Sequence, residues 1–311
     1  MEKKYICLFL FSAILIISSC TNTGSGPSST NYRTGTQGIT LSLISIPSKL
    51  YENSRGTPIT VEVKNQGAFP QYDEHSKFDG VLWIGGYDDD LLRITPSNGI
   101  DLDAEELEGK SQYNNEGGRS LLSFDVDVKK LPSGTTVYKP ILLFTATYRY
   151  QTIASPMVCI DPDPQSMEVR EKVCTTHDVS AGSQGAPIVV SNIEQDVAGD
   201  TIIFKIRIRN TGNGILIPES DWNQDPDEGY DIRDLDEVKI RDVRVGNTRM
   251  SSCMPSIGKA LKLTNNEGYI QCRLDKSRIG SNVYTSPLNI ELTYGYTTSI
   301  STAIEVIEDI G

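Results

Sequence analysis

VEVKNQG (Val61–Gly67) returns in altered form as IRIRNTG (Ile206–Gly212), each an alternation of apolar and polar residues that ends in Asn-x-Gly. Alternation with period two sends one set of side chains to a buried face and the other to solvent, the mark of a half-buried β-strand. Asn and Gly tolerate positive φ and suit the turn that closes such a strand. The neighbours repeat too. Gly109-Lys110 followed by NNEG (Asn114–Gly117) answers Gly258-Lys259 followed by NNEG (Asn265–Gly268), and TYRYQT (Thr147–Thr152) answers TYGYTT (Thr293–Thr298). The offsets are 145, about 150 and 146 residues, in the same order, which describes one domain duplicated and diverged. A period of this length means tandem globular domains rather than a solenoid.

Each half reads as β. Strand patterns fall at Ile39–Ile46, Ile59–Lys64, Val81–Ile84, Leu121–Val128 and Ile141–Tyr150 in the first half. In the second they fall at Ile188–Ile193, Thr201–Arg209, Val238–Val243, Gly268–Arg273 and Leu288–Tyr294. Outside the N-terminus, no segment holds a helical apolar stripe for three turns; Asp101–Gly109 is a short acidic helix at most. Short strands without helices to cover a parallel sheet predict an all-β chain. The expectation is two tandem antiparallel immunoglobulin-like β-sandwiches after a signal helix and a flexible tether. The V-x-V-x-N-x-G strand resembles the adhesion-related sandwich domains of bacterial and archaeal surface proteins called CARDB-like. With SPMVCIDPDP (Ser155–Pro164) leading towards Cys174, the layout also resembles archaeal surface lipoproteins. That resemblance implies a place at the cell surface and no chemistry.

The N-terminus has export proportions. Lys3 and Lys4 precede the apolar run Ile6–Ile17, and Ile17-Ser18-Ser19-Cys20 has the form of a lipoprotein cleavage site, so residues 1–19 read as signal peptide and Cys20 as the lipidated residue. A plain signal peptide, or an uncleaved anchor helix, is the alternative. Residues 20–36 are almost free of apolar side chains and read as a tether. Residues 37–177 form the first domain, 178–187 a Gly/Ser/Ala linker and 188–311 the second domain. Cys159, Cys174, Cys253 and Cys272 remain, two per half, and local pairing as Cys159–Cys174 and Cys253–Cys272 is expected. The formal charge of −12 repels nucleic acid and anionic lipid surfaces, so neither is an expected partner.

Candidate chemistry is sparse. The loop Asp221–Glu237 (DWNQDPDEGYDIRDLDE) holds eight carboxylates, of which Asp225, Asp227 and Asp231 are conceivable calcium ligands, although the order does not match an EF-hand and a solvated acidic insertion is the plainer reading. No other cofactor is expected. Trp222 is the candidate exposed aromatic for ligand binding, whereas Trp83 follows a strand pattern and reads as core. Cys174-x-x-His177 with Cys159 is an incomplete zinc set. Ser256-x-x-Lys259 matches a serine-lysine motif without its companion elements, and His75 and His177 are too few to suggest a triad. The paired tyrosines of TYRYQT and TYGYTT share one face, with the threonines expected on the other, and read as scaffold. The resulting expectation is a non-catalytic, membrane-anchored cell-surface module for adhesion, recognition or envelope scaffolding, with an unknown surface protein or glycan as partner. Alternatives are a surface enzyme or accessory subunit acting on glycan or peptide, and a strand-donating filament subunit.

Overall fold

A computed structural model describes residues 32–70, 78–103, 105–166, 172–250 and 252–309. The proposed signal peptide, Cys20, most of the tether and His75 lie outside these residues. The first half contributes β1 (Ile39–Ser45), β2 (Lys49–Tyr51), β3 (Thr57–Asn65), β4 (Gly80–Gly85) and β5 (Leu92–Thr95). It continues with β6 (Ile100–Asp101), β7 (Arg119–Val128), β8 (Val137–Tyr138), β9 (Ile141–Ala154) and β10 (Met157–Ile160). The second half contributes β11 (Val179–Ser180), β12 (Ile188–Ala198), β13 (Thr201–Asn210), β14 (Leu216–Ile217), β15 (Glu237–Val245) and β16 (Thr248–Arg249). It ends with β17 (Ser252–Met254), β18 (Ala260–Lys262), β19 (Glu267–Asp275), β20 (Tyr284–Ala303) and β21 (Glu305–Ile307). Among the described residues there is no α-helix, and all pairings are antiparallel except β2 with β21.

The all-β expectation holds, but the halves are fused rather than strung in line. One nine-stranded sheet runs through both, with the path β16-β15-β20-β9-β4-β6. Two further sheets, β1-β3-β7-β5 and β11-β12-β13-β19-β17, cover the same face of it, one per half. Alternation builds this core directly. Val61 and Val63 of β3 and Ile206 and Ile208 of β13 are buried against even-numbered residues of β9 and β20, among them Phe144, Tyr148, Tyr150, Leu292, Tyr294 and Tyr296. Each such side chain contributes roughly 1.5–3 kcal/mol by leaving water.

The join is the tyrosine motif. β9 and β20 pair along their length, with Tyr148 opposite Tyr296, Tyr150 opposite Tyr294, and Arg149 opposite Gly295 at the centre. The four rings touch, with centroids 5.6–6.3 Å apart. The hydroxyls bond in matched pairs: Tyr148 with Thr298 at 3.1 Å, and Tyr294 with Thr152 at 2.9 Å. Thr147 and Thr293 do face away from the rings, but Thr152 and Thr298 share the tyrosine face, because an even spacing along a strand returns to the same side.

The Asn-x-Gly corners dock onto these rings. The Tyr150 hydroxyl donates to Asn65 Oδ1 at 3.0 Å and the Tyr296 hydroxyl to Asn210 Oδ1 at 2.9 Å. Gly67 N and Gly212 N donate to the same two oxygens. A Cβ on either glycine would overlap the tyrosine hydroxyl, so the corner needs glycine for space as well as for the turn.

Each half also lends its last strand to the other. β10 pairs with the start of β20, and β21 inserts between β2 and β8. Val158, Ile160 and Val306 are buried in these borrowed positions. Residues 178–187 are no free linker: β11 pairs with β12, buried Gln184 bonds Val190 in both directions, and Ala68 N donates to Gly185 O. In the stretch read as a short helix at most, Asp101 ends β6 and residues 105–107 form a turn, with Leu107 N donating to Asp103 O. The structure contains both Cys159–Cys174 and Cys253–Cys272 bonds, the second between directly opposed residues of β17 and β19.

Candidate binding groove

The acidic loop does not hang in solvent. It crosses the outer face of the shared sheet, the face opposite the tyrosines. Two short 3-10 turns, Glu219–Asp221 and Pro226–Glu228, shape it, the second capped by Asp225 accepting from Asp227 N at 2.9 Å. Gly295 lets it pass, since a Cβ there would stand 2.6 Å from Pro218 O. From the first half, Thr147 Oγ1 donates to Trp222 O at 2.5 Å and Arg149 Nε to Glu219 O at 3.1 Å. The Arg149 guanidinium lies 5.4 Å from the centre of the Trp222 ring and pairs with Asp79 at 2.9 Å.

Trp222, expected to be free for a ligand, is therefore half-buried on an arginine that pins the ribbon across the junction. Trp83 corrects in the other direction: it is on the outer face, half-buried, donating to Thr147 Oγ1 at 2.9 Å. Asp225, Asp227 and Asp231 are spread along the ribbon. Asp225 caps a turn, and Arg233 ion-pairs with Asp231 at 2.6 Å, hydrogen-bonding its carboxyl and holding it below the usual range. Among the described residues no three His, Cys, Asp or Glu side chains group as metal ligands. Cys159 and Cys174 are bonded to each other, so they are not available as zinc thiolates, and exposed His177 faces Thr175 O at 2.9 Å. Burial, reinforced by Asp221 and Asp225, pushes the Tyr230 phenol up to about 12.

Beside the ribbon lies a cavity of about 440 Å³, lined by Arg149, Glu219, Glu237, Lys239, Lys259 and Thr293 among others. Its volume is within the range of small-ligand sites. Glu219 is its best-held acid: Arg241 bonds it at 2.6 Å, Thr293 Oγ1 at 3.3 Å, and Lys239 lies 3.9 Å away. Among the described residues nothing pairs with the Lys259 ammonium at the rim. Sequence reading missed this groove because its walls come from β9, β15, β20 and two loops that only the shared sheet brings together. One signal was Lys259, singled out within Ser256-x-x-Lys259 for a chemistry it does not build here; Ser256 offers Lys259 only a backbone turn, Lys259 N to Ser256 O at 2.9 Å.

No protein-family model matches the chain, and no curated protein matches it. Among solved structures, the C-terminal domain of the AgI/II polypeptide BspA from Streptococcus agalactiae aligns at 8% identity over 86% of this chain and 97% of its own, with a TM-score of 0.17. The C-terminal domain of the antigen I/II-family protein AspA from Streptococcus pyogenes aligns at 10% identity over 88% of this chain and 100% of its own, with a TM-score of 0.18. Likeness at this level carries no argument about function.

Proposed function

We propose that the chain is a non-catalytic cell-surface lipoprotein, held at the membrane by a lipid on Cys20, whose fused double sandwich presents the groove beside the acidic ribbon to a surface protein or glycan. The observation that supports this most is how the groove is built. Its floor is the β9–β20 strand junction, its best-held acid, Glu219, is already paired with Arg241 and Lys239, and the Lys259 ammonium is left to meet a polar group, which suits orienting a polar ligand more than moving a proton. Two disulfides fit an oxidising compartment. A glycan and surface-protein binding screen with the portion starting near Gly35, repeated with Lys239→Ala/Lys259→Ala, tests it. Binding that falls at least tenfold in the variant supports the groove; binding indifferent to the change removes it.

A second reading stays open because two carboxylates, Glu219 and Glu237, line the same cavity. Glycoside cleavage uses such a pair at about 5–10 Å. Release of a cleaved glycan that stops with Glu219→Gln would establish that reading instead. Replacing Cys20 with Ala should move the protein from the membrane to the soluble fraction; unchanged retention would mean an anchor helix.

A further inference from the structure

We infer that the outward face of the sheet β11-β12-β13-β19-β17 docks the acidic ribbon of a second copy of this chain. The duplication supplies an internal control. Outward-facing Thr60, Glu62 and Lys64 of β3 correspond to Lys205, Arg207 and Arg209 of β13. The strand register places Leu121, Ser123 and Asp125 of β7 where Tyr269, Gln271 and Arg273 stand on β19. The same scaffold positions are thus near-neutral to acidic in one half and cationic in the other, on a chain whose net charge is −12.

This face is also assembled like a contact surface. Tyr269, 40% exposed, lies at its middle, with Lys205 4.6 Å and Arg207 5.3 Å from its ring. Glu194 and Glu267 pair with Lys205, Arg207 and Arg209 at 3.2–3.5 Å, leaving cations in excess; among the described residues Arg273 has no partner. Tyrosine and arginine are the residues that interface centres favour.

The complement is on the opposite side of the same molecule. The ribbon Asp221–Glu237 carries eight carboxylates against one arginine, and Asp227, Glu228, Asp231 and Asp234 are exposed. Ile232, 82% exposed, gives it an apolar tip. Because the core separates ribbon from cationic face, one copy cannot satisfy both, and the contact is head-to-tail, which builds an open stack rather than a closed pair. The overall negative charge repels copies at a distance but is screened beyond about 8 Å at physiological ionic strength, whereas pairs in contact are not. An anionic glycan would meet the same cations. The ribbon is the better fit because Arg149 and Trp222 hold it in place before any partner arrives.

The test uses the full chain, mixed in light and isotopically heavy forms and treated with a carbodiimide that joins amines to carboxylates. Heavy-to-light links from Lys205 to Asp227, Glu228, Asp231 or Asp234 are expected. They should fall at least tenfold in Lys205→Glu/Arg209→Glu and in Asp227→Lys/Glu228→Lys, each taken alone. Mixing these two variants should restore the links, now between the carboxylates introduced on β13 of one variant and the amines introduced on the ribbon of the other, which shows that both are folded. Links that survive either reversal, no links at any concentration, or a mixture that fails to restore them would overturn the proposal. So would a chain that stays single while this face retains an anionic polysaccharide.

Discussion

Asn65 and Asn210 occupy the same corner of the two halves, yet they carry different loads. Asn65 is fully buried and donates to Phe69 O at 2.7 Å and Leu107 O at 2.9 Å while accepting from Gly67 and Tyr150. Asn210 keeps the bonds to Gly212 and Tyr296 but is half-exposed, and its amide makes one longer bond to Gly214 O at 3.2 Å. Outside these corners the halves have parted further, in the charge of their covering sheets and, among the described residues, in the ribbon of the second half. The halves differ where side chains meet water and agree at the junction, where the Tyr148 and Tyr294 hydroxyls bond threonines of the other half and those of Tyr150 and Tyr296 bond the asparagines of their own.

The junction can be broken as a whole. Burial raises the phenols of Tyr148, Tyr150, Tyr294 and Tyr296, the last to about 12. The unfolded chain therefore ionises first as pH passes about 10, and the stability these groups contribute is complete below that value and lost as pH climbs through the folded values. The loss is up to about 1.4 kcal/mol per pH unit for each tyrosine, so urea midpoints should collapse between about pH 10 and 12. A flat profile there would contradict the buried junction.

Asn65→Ala should cost about 4 kcal/mol, and Asn210→Ala about half as much, because the first leaves more buried groups unpaired. Equal losses in chemical denaturation would mean the two corners are equivalent after all. Removing either disulfide should cost on the order of 3 kcal/mol by the chain-entropy argument. Trp222→Ala should have the smallest global effect, about 1 kcal/mol, yet raise hydrogen exchange across the ribbon. Ribbon protection that does not change would mean Arg149 and Trp222 do not pin it.

Much of this fold was legible in the chain and some was not. Alternation located most long strands and identified VEVKNQG, IRIRNTG and the tyrosine pairs as structural, because period two reports which face is buried. It does not report the neighbouring strand, so nothing in TYRYQT or TYGYTT announced that the two would pair with each other. For the same reason Trp83 was misplaced: a face read as core proved to be the outer one. The run HDVSAGSQGAP looked like a linker by composition, but its backbone is satisfied by β12, Ala68 and the chain near Gly35. The NNEG words mark the same site ahead of β7 and β19 without sharing a shape. Asn265 and Asn266 both adopt positive φ, whereas in the first copy Gly117 does so and Asn114 accepts from Glu116 and Gly117 N. The groove was invisible because its residues come from both halves.

The placement of β21 sets an order on how the molecule is made. Its Lys49–Glu305 and Val306–Tyr138 pairings close the first half with a strand that follows the whole of β11 to β20 in the chain. At ordinary elongation rates about 7–30 s separate completion of the first repeat from arrival of that strand. Throughout that interval the earlier half has an open slot and unpaired backbone edges, so its protection from chaperones, proteases and neighbouring nascent chains begins only when β21 arrives.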